Sequence, residues 1–219
     1  MQSSDAVGFL GKPVEDLYGR HVGAVMGFSL KTNGDVDSVG VDLGSGSFAE
    51  VKSNRLLLHE QALIVVPMWK ADVMRITGET GVLSKRISAL QELAKESQEG
   101  GSASEAQYDQ LRAQYETRLA KVQESSDRLL QEMKGRMEEI DRAEEAMAKF
   151  LVNVNIQFRS GEISEASFGL IRDQCATMKA RNAKEREELA TAHAMVGQKE
   201  NEAARPIEVQ VSASGALSS

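Results

Sequence analysis

A chain of 219 residues with a net charge of −7, 41% hydrophobic and only 5% aromatic content can build one small globular domain plus extended helices, or one larger domain. The acidic balance argues against nonspecific binding to DNA or RNA, which needs clustered Lys and Arg. The single cysteine, Cys175, excludes an internal disulfide and fits a reducing, cytoplasmic compartment, and no secretory leader or run of about 20 apolar residues is written into the chain.

Residues 1–75 read as short strands. The apolar run "HVGAVMGFSL" (21–30) carries Val22, Val25 and Phe28, and Asn33-Gly34 after it is a two-residue hairpin signal. In "VDSVGVDL" (36–43), Val39, Val41 and Leu43 alternate with Ser38, Gly40 and Asp42. "GSGS" (44–47) is a further turn, "FAEV" (48–51) an edge-like strand, and "RLLL" (55–58) with "ALIVVP" (62–67) another hairpin. Five or six short strands separated by turns predict a small barrel, which closes its own edges.

The period changes after Pro67. "MWKADVMRI" opens a helical stretch with apolar residues at 83, 87, 90 and 94, and Gly100-Gly101 breaks it. Ser104, with Gln107 three places on, caps the second helix. Its seam is Tyr108, Leu111, Tyr115, Leu119, Val122, Leu129, Met133, Met137, Ile140, Met147, Leu151 and Val154, with Ser126 and Glu144 as polar interruptions. A helix that long needs a partner helix rather than a 75-residue barrel. "SGEIS" (160–164) supplies the next break, with Gly161 as C-cap and Ser164 as the next N-cap.

The third helix continues the seam at Phe168, Ile171, Cys175, Met178, Leu189 and Val196, with Asn182 and Glu185 in the skipped slots. The mixed charges of "KARNAKEREE" (179–188) read as a solvated coiled-coil face. Helices two and three should fold back as an antiparallel hairpin, with the third ending near Val196-Gly197 or fraying through "QKENEAA". "SEAQYDQLR" and "SEASFGLIR" are the same helix start written twice, not a solenoid.

Chemistry is sparse. His21, His59 and His193 lie in different segments without ligand spacing, and no His is placed to activate Cys175. The glycine-rich turns match no phosphate-binding loop, and Asp35, Asp37 and Asp42 depart from the EF-hand spacing. Methionines 133, 137 and 147 follow the helical seam. The residues point to no enzyme, no cofactor and no metal.

The last feature is "ARPIEVQV". Pro206 cannot sit inside a helix and pushes Arg205 to an extended conformation. Ile207, Val209 and Val211 then face one way, and Glu208 and Gln210 the other. On residues alone this is either a disordered tail with chance alternation or a strand that adds to the edge of a partner's sheet.

"FLGKPVEDLYGRHVGAVMGF" (9–28) resembles a PRC-barrel, with Gly11, Lys12, Val14, Gly19, Arg20, Val22, Gly23 and Val25 in order. The whole layout adds Pro67-x-Trp69-Lys70, heptad helices with the "SGEIS" loop and the terminal strand-like peptide. It is similar to the cell division protein A family of the archaeal Cdv system. The resemblance implies an α+β fold: a PRC-barrel-like domain over 1–75, a helical coiled-coil region over 76–200 with breaks near 100–103 and 160–163, and a tail over 201–219 with a docking strand. It also implies a non-enzymatic scaffold that self-associates into filaments at mid-cell. Such a scaffold recruits the winged-helix domain of an ESCRT-III-like partner, cell division protein B, through Arg205, Pro206, Ile207, Glu208, Val209, Gln210 and Val211. Lipid contact is expected to be indirect or peripheral. The competing class is a coiled-coil, nucleic-acid-associated structural protein organising the chromosome.

Overall fold

The computed structural model describes residues 6–59, 62–98 and 105–204. Six strands come first: β1 (Pro13–Asp16), β2 (His21–Leu30), β3 (Val36–Gly44), β4 (Ser47–Lys52), β5 (Leu56–His59) and β6 (Ala62–Val65). Three long helices follow: α1 (Met68–Gln98), α2 (Glu105–Arg159) and α3 (Glu165–Ala204). The architecture is α+β, with an N-terminal sheet and a helical remainder.

The six strands form one sheet in the order β4-β3-β2-β1-β6-β5. All neighbours are antiparallel except β1 and β6, which run parallel. The hydrogen-bonded ladder therefore has two ends, β4 and β5, where the sequence led us to expect closure. The chain passes from β4 to β5 through a single 3-10 turn (Ser53–Arg55), not a hairpin. That crossing is pinned to the far side of β5: Val66 donates its N–H to the Arg55 carbonyl, and the Arg55 guanidinium donates back to the Val66 carbonyl at 2.9 and 3.0 Å.

The core of the sheet domain is built almost wholly of valines: Val14, Val25, Val36, Val39, Val41 and Val51, with Ala6 and Leu63. β-Branched side chains stand well on a pleated surface, which is why such a small domain can use them at every inward position. The alternation of β3 holds only in part: Val39 and Val41 are buried, but so is Ser38 between Val36 and Val39, and Leu43 is exposed beyond the end of the core. The turn at Asn33-Gly34 is a three-residue loop over Thr32–Gly34. The N–H of Lys31 reaches the Asp35 carbonyl, and that of Gly34 the Lys31 carbonyl. The two-residue connection falls instead at Ser45-Gly46, between the paired Gly44 and Ser47.

The helices pack as a three-helix bundle next to the sheet. Trp69, Val73, Ile76 and Leu83 of α1 meet Val122, Leu129, Met133 and Ile140 of α2 and Leu189, Ala192 and Val196 of α3 in one core. Each of the larger side chains in that core removes enough apolar surface from water to contribute about 1.5–3 kcal/mol. Beyond the bundle, α2 and α3 continue as a two-helix antiparallel hairpin, as the seam required. At 1.5 Å per residue α2 alone is about 80 Å long. The turn joining them ends α2 with a Schellman motif: Gly161 sits at φ 78°, the N–H of Glu162 reaches the Gln157 carbonyl, and that of Gly161 the Phe158 carbonyl. The Ser164 hydroxyl then accepts the N–H of Ser167 at 3.1 Å, capping α3. Phe158 and Phe168 stack across the turn with centroids 4.7 Å apart and clamp the two helix ends together.

α1 starts at Met68, where the sequence opens its helical stretch, and α3 runs through Gly197 to Ala204, the end of "QKENEAA" rather than Val196-Gly197. Gly197 follows Val196, which is fully buried in the bundle, so packing overrides the roughly 1 kcal/mol helix penalty of the glycine. The break near 100–103 and the proposed cap Ser104 lie outside the described residues.

Candidate functional site

The most elaborate cluster of charged side chains is the joint between the sheet and the bundle. It starts in the turn between β1 and β2. The Asp16 carboxylate accepts the backbone N–H groups of Tyr18 and Arg20 at 2.8 and 2.9 Å, and the Gly19 N–H reaches the Asp16 carbonyl. An Asx-type turn of this kind holds a short loop in one shape. It aims Tyr18 and Arg20 out of the sheet and at the middle of α3.

There Arg20 donates to the Asn182 side-chain oxygen at 2.9 Å and also to Glu185, which makes a short ion pair with it. From the other side, Arg136 of α2 grips Glu185 with two hydrogen bonds, Nε to Oε1 at 2.9 Å and a terminal nitrogen to Oε2 at 3.1 Å. Fork-to-carboxylate pairs of this geometry are among the stronger charged hydrogen bonds. Glu185 is only 3% exposed and Asn182 is likewise buried. One turn on, Glu188 Oε2 accepts from both the Tyr18 hydroxyl and Lys70 Nζ, each at 2.9 Å. Four segments are thus tied at one point: the β1–β2 turn, the start of α1, the middle of α2 and the middle of α3.

Burial pushes the Glu185 carboxyl up, but the hydrogen bonds from Arg136 and Arg20 outweigh it and hold the group below the usual carboxylate range. Glu188 behaves the same way, with Lys70 and Tyr18 overcoming its burial. The Tyr18 phenol is pushed well up, first by burial and then by its bond to Glu188. A carboxylate whose folded pKa is depressed adds stability that is present above its unfolded pKa and is lost as pH falls through the folded one. The unfolded value for Glu is about 4.3, so we expect the melting temperature to hold above that pH and to drop below it. The check is a thermal melt series from neutral to acid. A Glu185→Leu variant should show a shallower acid slope, and an identical slope would show that Glu185 carries no part of it.

The sequence marks this joint only indirectly. Asn182 and Glu185 occupy seam slots, and the mixed charges around them suggested a solvated face. The structure corrects that reading: both are buried, because the sheet domain covers them and brings Arg20 to meet them. A charge in a slot where the period calls for an apolar residue is the one available signal. Tyr18, Arg136 and Glu188 carry no signal by themselves. By contrast, Arg186 of α3 forks onto Asp141 of α2 at 2.8 and 3.2 Å with both side chains about half exposed.

Other candidate chemistry stays dispersed. His21 and His59 are exposed, His193 and Cys175 half-buried, and among the described residues no group of three or more His, Cys, Asp or Glu is placed to hold a metal ion. Met178 and Leu111, assigned to the seam, are exposed. The docking residues Arg205, Pro206, Ile207, Glu208, Val209, Gln210 and Val211 lie outside the described residues. Among the described residues no helix is long and apolar enough to cross a membrane.

A small β-domain docked by buried ion pairs onto the root of a long antiparallel helical hairpin defines a coiled-coil protein with a fixed β-module at one end. The chain belongs to the CdvA-like coiled-coil domain family, whose model matches residues 68–216. The match therefore begins where α1 begins and runs past the end of α3. The chain is also similar to Cell division protein A of Sulfolobus acidocaldarius, with 25% identity over 161 residues. The similarity covers 73% of this chain and 65% of the relative, so a third of that protein's length has no counterpart in the match. No solved structure matches the chain.

Proposed function

We propose that this protein is a non-enzymatic cell-division scaffold. It assembles through its helical hairpin at mid-cell on the cytoplasmic side and recruits an ESCRT-III-like protein through the strand-forming peptide Arg205–Val211. The observation that carries the reading is the family match over residues 68–216, which takes in both the rod and the peptide. The name of the Sulfolobus relative supplies the process.

Two physical features support it. The far part of the hairpin leaves Phe150, Val152, Ile156, Leu170 and Met178 exposed, and the run from Phe150 to Phe158 contains no charged residue. A helix that is apolar on several sides asks for more cover than one neighbour gives, which suits assembly between copies. The peptide alternates β-branched and polar residues, the pattern with which an added strand offers its backbone to a sheet edge and its alternate side chains to pockets. A strand of this length buries little surface and gives an affinity on the order of micromolar; repetition along an assembly raises it by avidity.

The test is binding of the full chain to the winged-helix domain of the ESCRT-III-like partner, compared with Val209→Asp. A charge in the inward set should weaken binding by at least about tenfold, or 1.4 kcal/mol. Equal affinity would remove the peptide from the mechanism.

A further inference from the structure

The hairpin meets the sheet domain at a corner. Leu170, Gln174, Thr177 and Arg181 recur every three or four residues and so share one stripe of α3. Where that stripe runs up to the β1–β2 turn, a notch of about 550 Å³ opens, with Asp173 and Met178 beside the stripe and Arg20 and His21 as its wall. Its floor is apolar, since Leu170 is 67% exposed and Met178 50%. Its end at the turn is basic. The Arg181 guanidinium lies over Gly19, 3.6 Å from the position a Cβ would take there. Arg20 is engaged by Glu185 and Asn182, whereas Arg181 has no ion pair or side-chain hydrogen bond among the described residues. Asp173, the acid of the notch, sits 3.4 Å from its neighbour Arg172.

We propose that this notch seats the tip of the hairpin of a second copy, the two chains lying antiparallel so that each tip fills the other's notch. The first argument is shape. The notch is closed at one end by the β1–β2 turn, while towards the hairpin tip Leu170, Asp173, Gln174 and Thr177 are exposed. Such a corner takes the end of a rod rather than its middle. The chain's own hairpin supplies that end: a turn over 160–164, fixed by its Schellman bonds and by the Phe158–Phe168 stack.

The second argument is charge. The tip carries Glu162 and Glu165 against one base, Arg159, which donates to Asn155 at 3.2 Å. Glu162 accepts from the Ser160 hydroxyl, and Glu165 has no partner among the described residues. An unpaired carboxylate at the tip and an unpaired guanidinium in the notch are complementary. They cannot meet within one chain, because Glu165 and Arg181 lie on the same helix about 24 Å apart.

The third argument is register. Helical side chains lean towards the N-terminus of their helix, which brings the Arg181 guanidinium back to about the level of Thr177. Placing Glu165 of the second copy at that level puts the two-fold axis next to Leu170, so the most exposed apolar side chain of α3 packs against its own copy. Arg172 and Asp173 flank the axis, and each copy offers the other an acid and a base there. The paired stretch of α3 is about 18 Å long. It buries less than the roughly 800 Å² per partner of a standard interface, so the contact is reversible and depends on concentration.

The contact rests on the reading that the hairpin assembles between copies, and it adds where and in which direction. The test is a charge exchange in the full chain, followed by sedimentation velocity over a concentration series. Arg181→Glu and Glu165→Arg should each raise the dissociation constant for self-association at least about tenfold, because each sets like charges face to face. An equimolar mixture of the two should associate as the parent does, since both seats of the mixed pair are then complementary. A mixture no better than its components overturns the seat. Association of both single variants equal to the parent's also overturns it and leaves assembly through the hairpin standing. A parent that stays monomeric throughout sinks both.

Cysteine trapping gives a second reading that keeps both charges. In a Cys175→Ser background, a chain with Ala166→Cys is mixed with one carrying Thr177→Cys or, as control, Thr191→Cys. Both threonines are exposed and donate to the carbonyl four residues back. A mixed disulfide forming at least about tenfold faster at 177 than at 191 supports the seat, as a held pair has the higher effective concentration. Equal rates overturn it.

Discussion

Removing both Arg20 and Arg136, each to alanine, is expected to destabilise the protein by about 3–5 kcal/mol, because it strands the buried Glu185 carboxylate without a cation. For a chain of this size that corresponds to a fall in melting temperature of about 10 °C or more. Either single substitution should cost clearly less than half of the double, since the remaining guanidinium still satisfies the carboxylate. The decisive control is the triple variant that also carries Glu185→Leu. With the charge gone and the space filled, it should recover most of the loss. Differential scanning calorimetry on the parent and the four variants reads all of this. A double variant that melts with the parent would show that the joint adds nothing.

The size of that expectation comes from burial, and the molecule contains its own comparison. Arg186 and Asp141 make the same kind of fork between the same two helices, at distances as good as those of Arg136 and Glu185. Both partners are about half exposed, so their attraction is screened by water and salt and adds little. The pair at Glu185 is different because breaking it leaves a charge where water does not reach. The consequence is orientation more than net stability: a leucine core would hold α2 and α3 together equally well, but it would not select Arg20 and the turn that carries it. The ion pairs fix how the β-domain sits on the root of the hairpin, and in an assembly of copies that angle would repeat from one subunit to the next.

How much of this was legible follows from which residues speak locally. The seam of α2 could be read because Val122, Leu129, Met133, Ile140 and Val154 are buried at the helical period itself. The hairpin loop could be read because Gly161 and Ser164 cap by their own chemistry. Leu43, Leu111 and Met178 obeyed the period and were still left exposed. Period places a residue on a face, but only the tertiary partner decides whether that face is covered. α3 passes Gly197 for the same reason, since the bundle core at Val196 outweighs a local stop signal. The joint was the least legible part. Its members lie up to 170 residues apart in the chain, and Lys70, Arg136 and Glu188 look in sequence like any solvated charge on a helix. Pro67-x-Trp69-Lys70 stands out in the sequence as a motif. The structure gives it physical content: Pro67 ends the sheet domain, Trp69 enters the bundle core, and Lys70 closes the joint through Glu188.

Gly23→Ala should be the most damaging single methyl group that can be added to the β-domain. A Cβ placed on Gly23 would collide with the Asp42 carbonyl oxygen of β3 and come within 3.0 Å of Val41 Cγ1. The obstacle is backbone in a hydrogen-bonded neighbour strand, flanked by a valine that is fully buried, so neither atom can step aside by a rotamer change. Relief requires β2 and β3 to part where Ala24 pairs with Asp42 and Val25 with Val41. Overpacking of that kind costs about 1–3 kcal/mol and occasionally more, and here we expect the top of the range, about 3 kcal/mol. Two other glycines set the scale. Gly40 would meet Phe48 at 2.8 Å, but Phe48 is a largely exposed side chain on an edge strand and can swing away, so Gly40→Ala should cost about 1 kcal/mol or less. Gly27, in the same strand as Gly23, has nothing within 4 Å. Alanine there should be neutral or stabilise by up to about 1 kcal/mol through the unfolded chain. Thermal melts of the three variants should therefore rank Gly23→Ala well below Gly40→Ala, and Gly40→Ala below Gly27→Ala. The hydrogen exchange of β3 amides should rise only in the first. If Gly23→Ala melts with Gly27→Ala, the close approach of β3 to β2 is not what requires glycine at that position.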